Sequence, residues 1–158
     1  MMDRDALLAL EDGTLLSQCR VDTARGRGPG GQKRNKTESA VQITHIESGI
    51  SAYNDVSRSQ HQNKTAALQR LRLEIALKLR SETLTQPGPM PSLKSDAFPL
   101  WAARVLDYLA SNGYRISDAA AQLDMSTSQL VKALSKCPPL WQFVNAQRVS
   151  LGLKQIKN

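Results

Sequence analysis

Arg25-Gly26-Arg27-Gly28-Pro29-Gly30-Gly31-Gln32-Lys33-Arg34-Asn35-Lys36 places two adjacent glycines directly before one glutamine, inside a cluster of cationic side chains. Without Cβ atoms, Gly26, Gly28, Gly30 and Gly31 allow positive φ and a close approach of the backbone to a ligand. Pro29 restrains φ and biases Gly28 towards extended geometry, so the loop has a shape of its own. Arg25, Arg27, Lys33, Arg34 and Lys36 supply a density of positive charge that suits an array of phosphates. Gln32 does not titrate and acts only by hydrogen bonding, through its amide and its backbone N–H. That chemistry fits the placing of a water molecule or the stabilisation of an oxyanion, and not proton abstraction.

Downstream, Asn35-Lys36-Thr37-Glu38-Ser39-Ala40-Val41, Ile43-Thr44-His45 and Ser48-Gly49-Ile50 follow the glycine loop, and a second block reads Arg58-Ser59-Gln60-His61-Gln62-Asn63-Lys64. With Gly30-Gly31-Gln32 these segments resemble the catalytic domain of class I peptide chain release factors, over roughly residues 20 to 80. A bare Gly-Gly-Gln is weak, whereas two separated motifs in order are specific.

The resemblance implies hydrolysis of the ester between a nascent peptide and the terminal ribose of transfer RNA, in the peptidyl transferase centre of the large ribosomal subunit. It assigns catalysis to Gly30 and Gly31, which shape the loop tip, and to Gln32. The Gln32 backbone N–H would stabilise developing negative charge, and its side chain would exclude nucleophiles bulkier than water. The implied partners are large-subunit ribosomal RNA and peptidyl-tRNA. A methyltransferase acting on the Gln32 side-chain nitrogen is implied as well. Arg25, Arg27, Lys33, Arg34, Lys36, Arg58 and Lys64 are the expected RNA contacts. Where release factors often carry His-Val-Asn after the glutamine, this chain has Lys33, Arg34 and Asn35, a loop held more by phosphate than by packing on its own domain.

The charge is uneven. Residues 20 to 80 hold 12 Lys or Arg against 5 Asp or Glu, while the remaining residues hold 9 of each. The net charge of +7 therefore coincides with the segment carrying the loop, as expected of an RNA-facing surface.

Cys19 and Cys137 have no partner at metal-ligand spacing, so neither a zinc site nor any other metal or cofactor is expected. The cysteines read as reduced thiols. No apolar stretch spans a membrane and no targeting pattern opens the chain, so a cytoplasmic location is expected; a monomer is expected as well.

Periodicity and punctuation predict an α+β fold, a small mixed sheet with a packed long helix and the glycine loop, followed by a small all-α domain. Residues 5–10 read as a short helix, 18–23 as a strand, and 36–39 as a helical turn. Val41, Ile43 and His45 alternate with Gln42, Thr44 and Ile46 in a second strand, and Ser48-Gly49 turns into a third over 50–54. From Ser59 the period becomes helical: Leu68, Leu71, Ile75 and Leu79 form one stripe, with Lys64, Arg70, Arg72, Lys78 and Arg80 expected to face outward.

Prolines at 87, 89, 91 and 99 predict a linker. The expected division is residues 1–82 as the catalytic domain, 83–96 as the linker and 97–158 as the helical domain. Within the last, Trp101, Val105 and Leu109 mark one helix ending near Asn112-Gly113. Ser117 is expected to cap a helix through Leu123, and Ser126 one through Leu134, an arrangement resembling a helix-turn-helix. Pro138 and Pro139 are expected to interrupt it before a last helix over 141–151. His61 lacks any triad partner pattern, and His45 reads as a half-buried strand residue.

A codon-reading release factor is much longer, because a separate domain recognises the codon; 158 residues leave no room for one. The expectation is a codon-independent, ribosome-rescue type of peptidyl-tRNA hydrolase. Known rescue hydrolases add a long basic tail, whereas the last eleven residues here hold only Arg148, Lys154 and Lys157. Two other classes remain open at this stage: a non-catalytic ribosome- or RNA-binding module of the same fold, and a DNA-binding regulator built on Lys132 and Lys136.

Overall fold

The computed structural model describes residues 2–25 and 38–158. The chain divides into two compact units, Met1–Ile75 and Ala76–Asn158.

The first unit opens with two short helices, α1 (Arg4–Leu8) and α2 (Asp12–Ser17). Asp3 caps α1 by accepting from the Ala6 N–H at 3.1 Å. The expected first helix is thus present, but α2 was not anticipated, since Gly13 in so short a run hides it. Strands β1 (Cys19–Ala24), β2 (Ala40–His45) and β3 (Ser51–Asn54) form an antiparallel sheet in that order. The sequence's alternation is real: Val41, Ile43 and His45 of the central strand are buried, while Gln42 and Thr44 are half-buried. Gly49, at φ +74°, makes the β2–β3 turn, with its N–H donating to the His45 carbonyl at 2.8 Å. An L side chain at that φ would be strained, so the turn fixes the pairing of Thr44 with Ser51.

Helix α3 (Gln60–Lys78) follows, its start stabilised by Ser59 Oγ accepting from the Gln62 N–H at 3.2 Å. Leu68, Leu71 and Ile75 of its stripe are buried and join Leu7, Leu8, Leu15, Val41, Ile43 and Ala52 in the core. Leu79 lies beyond the helix and is only half-buried. Arg72 corrects the expectation of an outward cation. It is 4% exposed, and its guanidinium donates to the carbonyls of Leu8 at 3.2 Å and Leu10 at 2.7 Å and to Asp12 Oδ1 at 2.8 Å. It closes the carbonyl end of α1, which the helix itself leaves unsatisfied.

In the second unit, α4 (Phe98–Ser111) carries Pro99 in its first turn, where a missing N–H costs nothing. The proline-rich stretch before it is tied to this unit, with Gln86 Nε2 donating to the Gln122 carbonyl at 3.0 Å and Trp101 Nε1 to the Gly88 carbonyl at 3.1 Å. Half-buried Arg80 pairs with buried Asp107 at 3.3 Å, and Asp107 also accepts from the Ser81 N–H at 3.0 Å.

Helices α5 (Ile116–Gln122) and α6 (Thr127–Ser135) are joined by a tight turn with Asp124 at φ +57°. Ser126 caps α6 as expected, in a reciprocal capping box with Gln129. Arg115, not Ser117, precedes α5. Pro138 and Pro139 do not interrupt the chain but begin α7 (Pro138–Ser150), because proline is preorganised for the first helical turn.

Candidate functional site

The site must be built from its stem, because residues 26–37 lie outside the described residues. With them go Gly30, Gly31 and Gln32 and the expected RNA contacts Arg27, Lys33, Arg34 and Lys36. The helical turn expected at 36–39 falls partly there too, and its described part, Glu38 and Ser39, is not helical.

What the sheet fixes is where that segment is attached. β1 and β2 pair in register from Cys19 opposite His45 to Ala24 opposite Ala40. Antiparallel partners face one another, so residues 25–39 leave and re-enter the fold at one end of one strand pair. The sequence-read loop is therefore the β1–β2 connection. Its first described residue, Arg25, is exposed.

The returning limb is held by the second sequence block. Gln60 Nε2 donates to the Glu38 carbonyl at 2.7 Å. Asn63 Nδ2 donates to the Ser39 carbonyl at 2.7 Å and to the Ser57 carbonyl at 2.8 Å. Asn63 Oδ1 accepts from the Ser57 N–H at 2.9 Å, so both amide hydrogens and the oxygen are used. Asn63 is 1% exposed, and in that setting each bond left unmade would be costly. Across the strand pair, Thr23 Oγ1 donates to Glu38 Oε2 at 3.3 Å.

Around this stem the structure places two more of the sequence-read residues. Arg58 is exposed just before α3, and Lys64 is half-buried in its first turns. Both belong to the short segment that also carries Gln60 and Asn63. His61 is exposed, and only its backbone carbonyl is engaged, by Thr65 Oγ1 at 3.1 Å. His45 is fully buried rather than half-buried, with Nδ1 2.8 Å from Ser48 Oγ and Nε2 3.1 Å from Gln18 Oε1. It links β2 to the Ser48-Gly49 turn and to the residue before β1, a framework role. Among the described residues no cluster of His, Cys, Asp or Glu could hold a metal ion. No described helix is long and apolar enough to cross a membrane. Burial pushes the Cys19 thiol up from its ordinary value, and its Sγ donates to the Leu15 carbonyl at 3.2 Å.

Sequence reasoning singled out the charged members of the second block and passed over Gln60 and Asn63. The signal was present: two carboxamides at i and i+3 in a first helical turn share one face.

Residues 15–90 match the RF-1 domain. Over that segment the chain is similar to peptide chain release factors 1 and 2. Peptide chain release factor 2 of Paramagnetospirillum magneticum is 33% identical over 114 residues, covering 72% of this chain and 30% of the relative. Peptide chain release factor 2 of Acidovorax sp. (strain JS42) is 36% identical over 115 residues, 73% of this chain and 30% of the relative. Peptide chain release factor 1 of Variovorax paradoxus is 48% identical over 90 residues, 54% of this chain and 25% of the relative. The chain thus spans less than a third of the length of these relatives.

Proposed function

We propose that this protein releases nascent peptides on the ribosome by hydrolysing the peptidyl-tRNA ester, without reading a codon. The observation that carries the reading is the match of residues 15–90 to the RF-1 domain, with Gly30-Gly31-Gln32 intact in the connection between the paired strand ends Ala24 and Ala40. In this reading a water oxygen attacks the ester carbonyl carbon. The bond to the ribose oxygen breaks, that oxygen takes one of the water's two protons, the other passes to solvent, and the peptide leaves as a carboxylate.

Gly30 and Gly31 allow the loop tip to approach the ester. The Gln32 N–H stabilises the oxyanion as it forms, and its side chain admits water while excluding larger nucleophiles. Arg25, Arg27, Lys33, Arg34, Lys36, Arg58 and Lys64 contact ribosomal RNA. Methylation of Gln32 by a glutamine methyltransferase, and action in the cytoplasm as a monomer, belong to the same reading. So does the division into a catalytic domain at 1–82, a connecting segment at 83–96 and a helical domain at 97–158 that docks to RNA or protein.

The test is release of labelled peptide from purified ribosomes bearing peptidyl-tRNA, with the decoding site empty or filled by a stop codon. Release from the empty complex is expected, with hydrolysis lost or opened to bulkier nucleophiles in Gln32→Ala, which removes the side chain and keeps the backbone N–H, and with ribosome binding retained. Release that depends on the stop codon refutes codon independence. Wild-type rates in Gln32→Ala refute the role of Gln32, and binding without any release favours the non-catalytic module.

A further inference from the structure

We infer that Gln60 and Asn63 are positioning residues for the reaction: they set the loop's returning limb and thereby the placement of Gln32. The inference rests on the reading of Gln32 given above. Three features of the stem carry it. The two carboxamides grip consecutive backbone carbonyls, Glu38 and Ser39, each at 2.7 Å. These are the last two residues before β2 begins at Ala40. Asn63 is itself immobilised, because its remaining donor and its acceptor are both spent on Ser57 at 2.8 and 2.9 Å.

The two limbs of the connection are held differently. Beyond Ala24 the outgoing limb leaves from an edge strand whose last residues, Asp22, Thr23 and Ala24, are exposed. The returning limb starts from the central strand, is bonded to α3 through Gln60 and Asn63, and is reached across the pair by Thr23. Position is therefore transmitted to the loop through Glu38 and Ser39. Six residues lie between Gln32 and Ser39 in the sequence. An error of about 1 Å in a reacting group costs up to about 100-fold in rate.

Gln60 separates this role from a role in stability. It is exposed, in the first turn of α3, and its side chain is not part of the core. Gln60→Ala removes the bond to Glu38, and Gln60→Glu keeps the shape while removing the donor. Both are expected to bind ribosomes as wild type does and to release peptide about 5- to 10-fold more slowly at saturating protein, the net weight of one hydrogen bond. Asn63→Ala is expected to lose more, and its thermal unfolding and circular dichroism are recorded alongside because Asn63 is buried.

The decisive measurement is the single-turnover release rate of Gln60→Ala made in wild type and in Gln32→Ala. A clamp that acts through Gln32 places both its side chain and its backbone N–H, and the alanine variant keeps only the N–H. The expected result is a loss of about 5- to 10-fold in the first background and a smaller loss in the second. Equal losses in both backgrounds, or an effect confined to ribosome affinity, overturn the inference and leave Gln32 untouched. Wild-type rates in Gln60→Ala and Gln60→Glu overturn it as well. A wild-type chain that releases no peptide overturns both this inference and the reading on which it rests.

Discussion

Replacing Arg72 by methionine tests whether a buried cation holds the first unit together through carbonyls or through its ion pair. Arg72 is 4% exposed, and its guanidinium donates to Leu8, Leu10 and Asp12 at 3.2, 2.7 and 2.8 Å. The three acceptors are unequal. Asp12 has a side chain 67% exposed, so water replaces the lost donor and screening makes the pair worth under about 1 kcal/mol. The Leu8 and Leu10 carbonyls belong to a buried and a half-buried residue, and no side chain of the variant can replace the donor.

An acceptor left unsatisfied on burial costs about 1–3 kcal/mol. The two carbonyls together set the loss, and relief of the guanidinium's own desolvation offsets part of it. The expected cost of Arg72→Met is therefore about 2–4 kcal/mol. Methionine keeps helix propensity and much of the apolar stem, so neither contributes a large term of its own. Asp12→Asn should cost less than about 1 kcal/mol.

Both tryptophans lie at 101 and 141, outside the first unit, so fluorescence is the wrong probe. Urea unfolding followed by circular dichroism, with hydrogen exchange resolved over residues 4–17, reads the affected region. Exchange there should quicken by about 30-fold or more in Arg72→Met. If Asp12→Asn destabilises as much as Arg72→Met, the ion pair dominates and the carbonyl argument is wrong.

Two further predictions concern the second unit. Ser126→Ala removes the cap bond to Gln129 N–H, 3.1 Å in the structure, and should cost about 1 kcal/mol by tryptophan-monitored urea unfolding; an unchanged midpoint would show that α6 is fixed by packing alone. Burial raises the Tyr114 phenol above its ordinary value, with Asp107 acting in the same direction and Arg80 against it. The folded state then holds a proton that the unfolded chain releases near pH 10, so this contribution is complete below about pH 10 and lost as pH rises through the folded value. Tyr114→Phe should lessen the decline in stability above about pH 10, and parallel declines in the two proteins would rule the linkage out.

The strands were legible because one face of β2 is buried and a period of two cannot be mistaken there: Val41 and Ile43 are fully buried, and Gln42 and Thr44 are half-buried. Arg72 was misread for an instructive reason. Four residues after Leu68, it sits on the buried side of the helical stripe by spacing alone, but its charge suggests solvent. Only the carbonyl end of α1, brought there by tertiary structure, makes that burial tolerable. Pro138 and Pro139 have two opposed local meanings, breaker or first turn. Cys137 before them makes no side-chain capping bond to tip the choice, and the sequence offered no usual cap there. In the candidate site the glycine loop and the charges could be read directly. The amides could not, since Gln60 and Asn63 acquire meaning only when Glu38 and Ser39 are seen beside them.

That the stem is held by uncharged amides follows from the kind of partner proposed for the loop. A lysine or arginine bonded to the Glu38 carbonyl would also be attracted to phosphate, and a dense polyanion would compete for it. A carboxamide donates almost as well to a carbonyl but carries no net charge, so an approaching phosphate array gains little by drawing it away. Asn63 goes further, because its burial and its two bonds to Ser57 leave it nothing to offer a new partner. The chain thus separates two tasks along its sequence. In the proposed function, cations at 25, 27, 33, 34 and 36 would exchange partners as the loop meets RNA, while neutral groups at 60 and 63 hold the Glu38 and Ser39 carbonyls. A loop whose stem bonds were as exchangeable as its phosphate contacts would lose its orientation on binding, at the step when Gln32 must be placed.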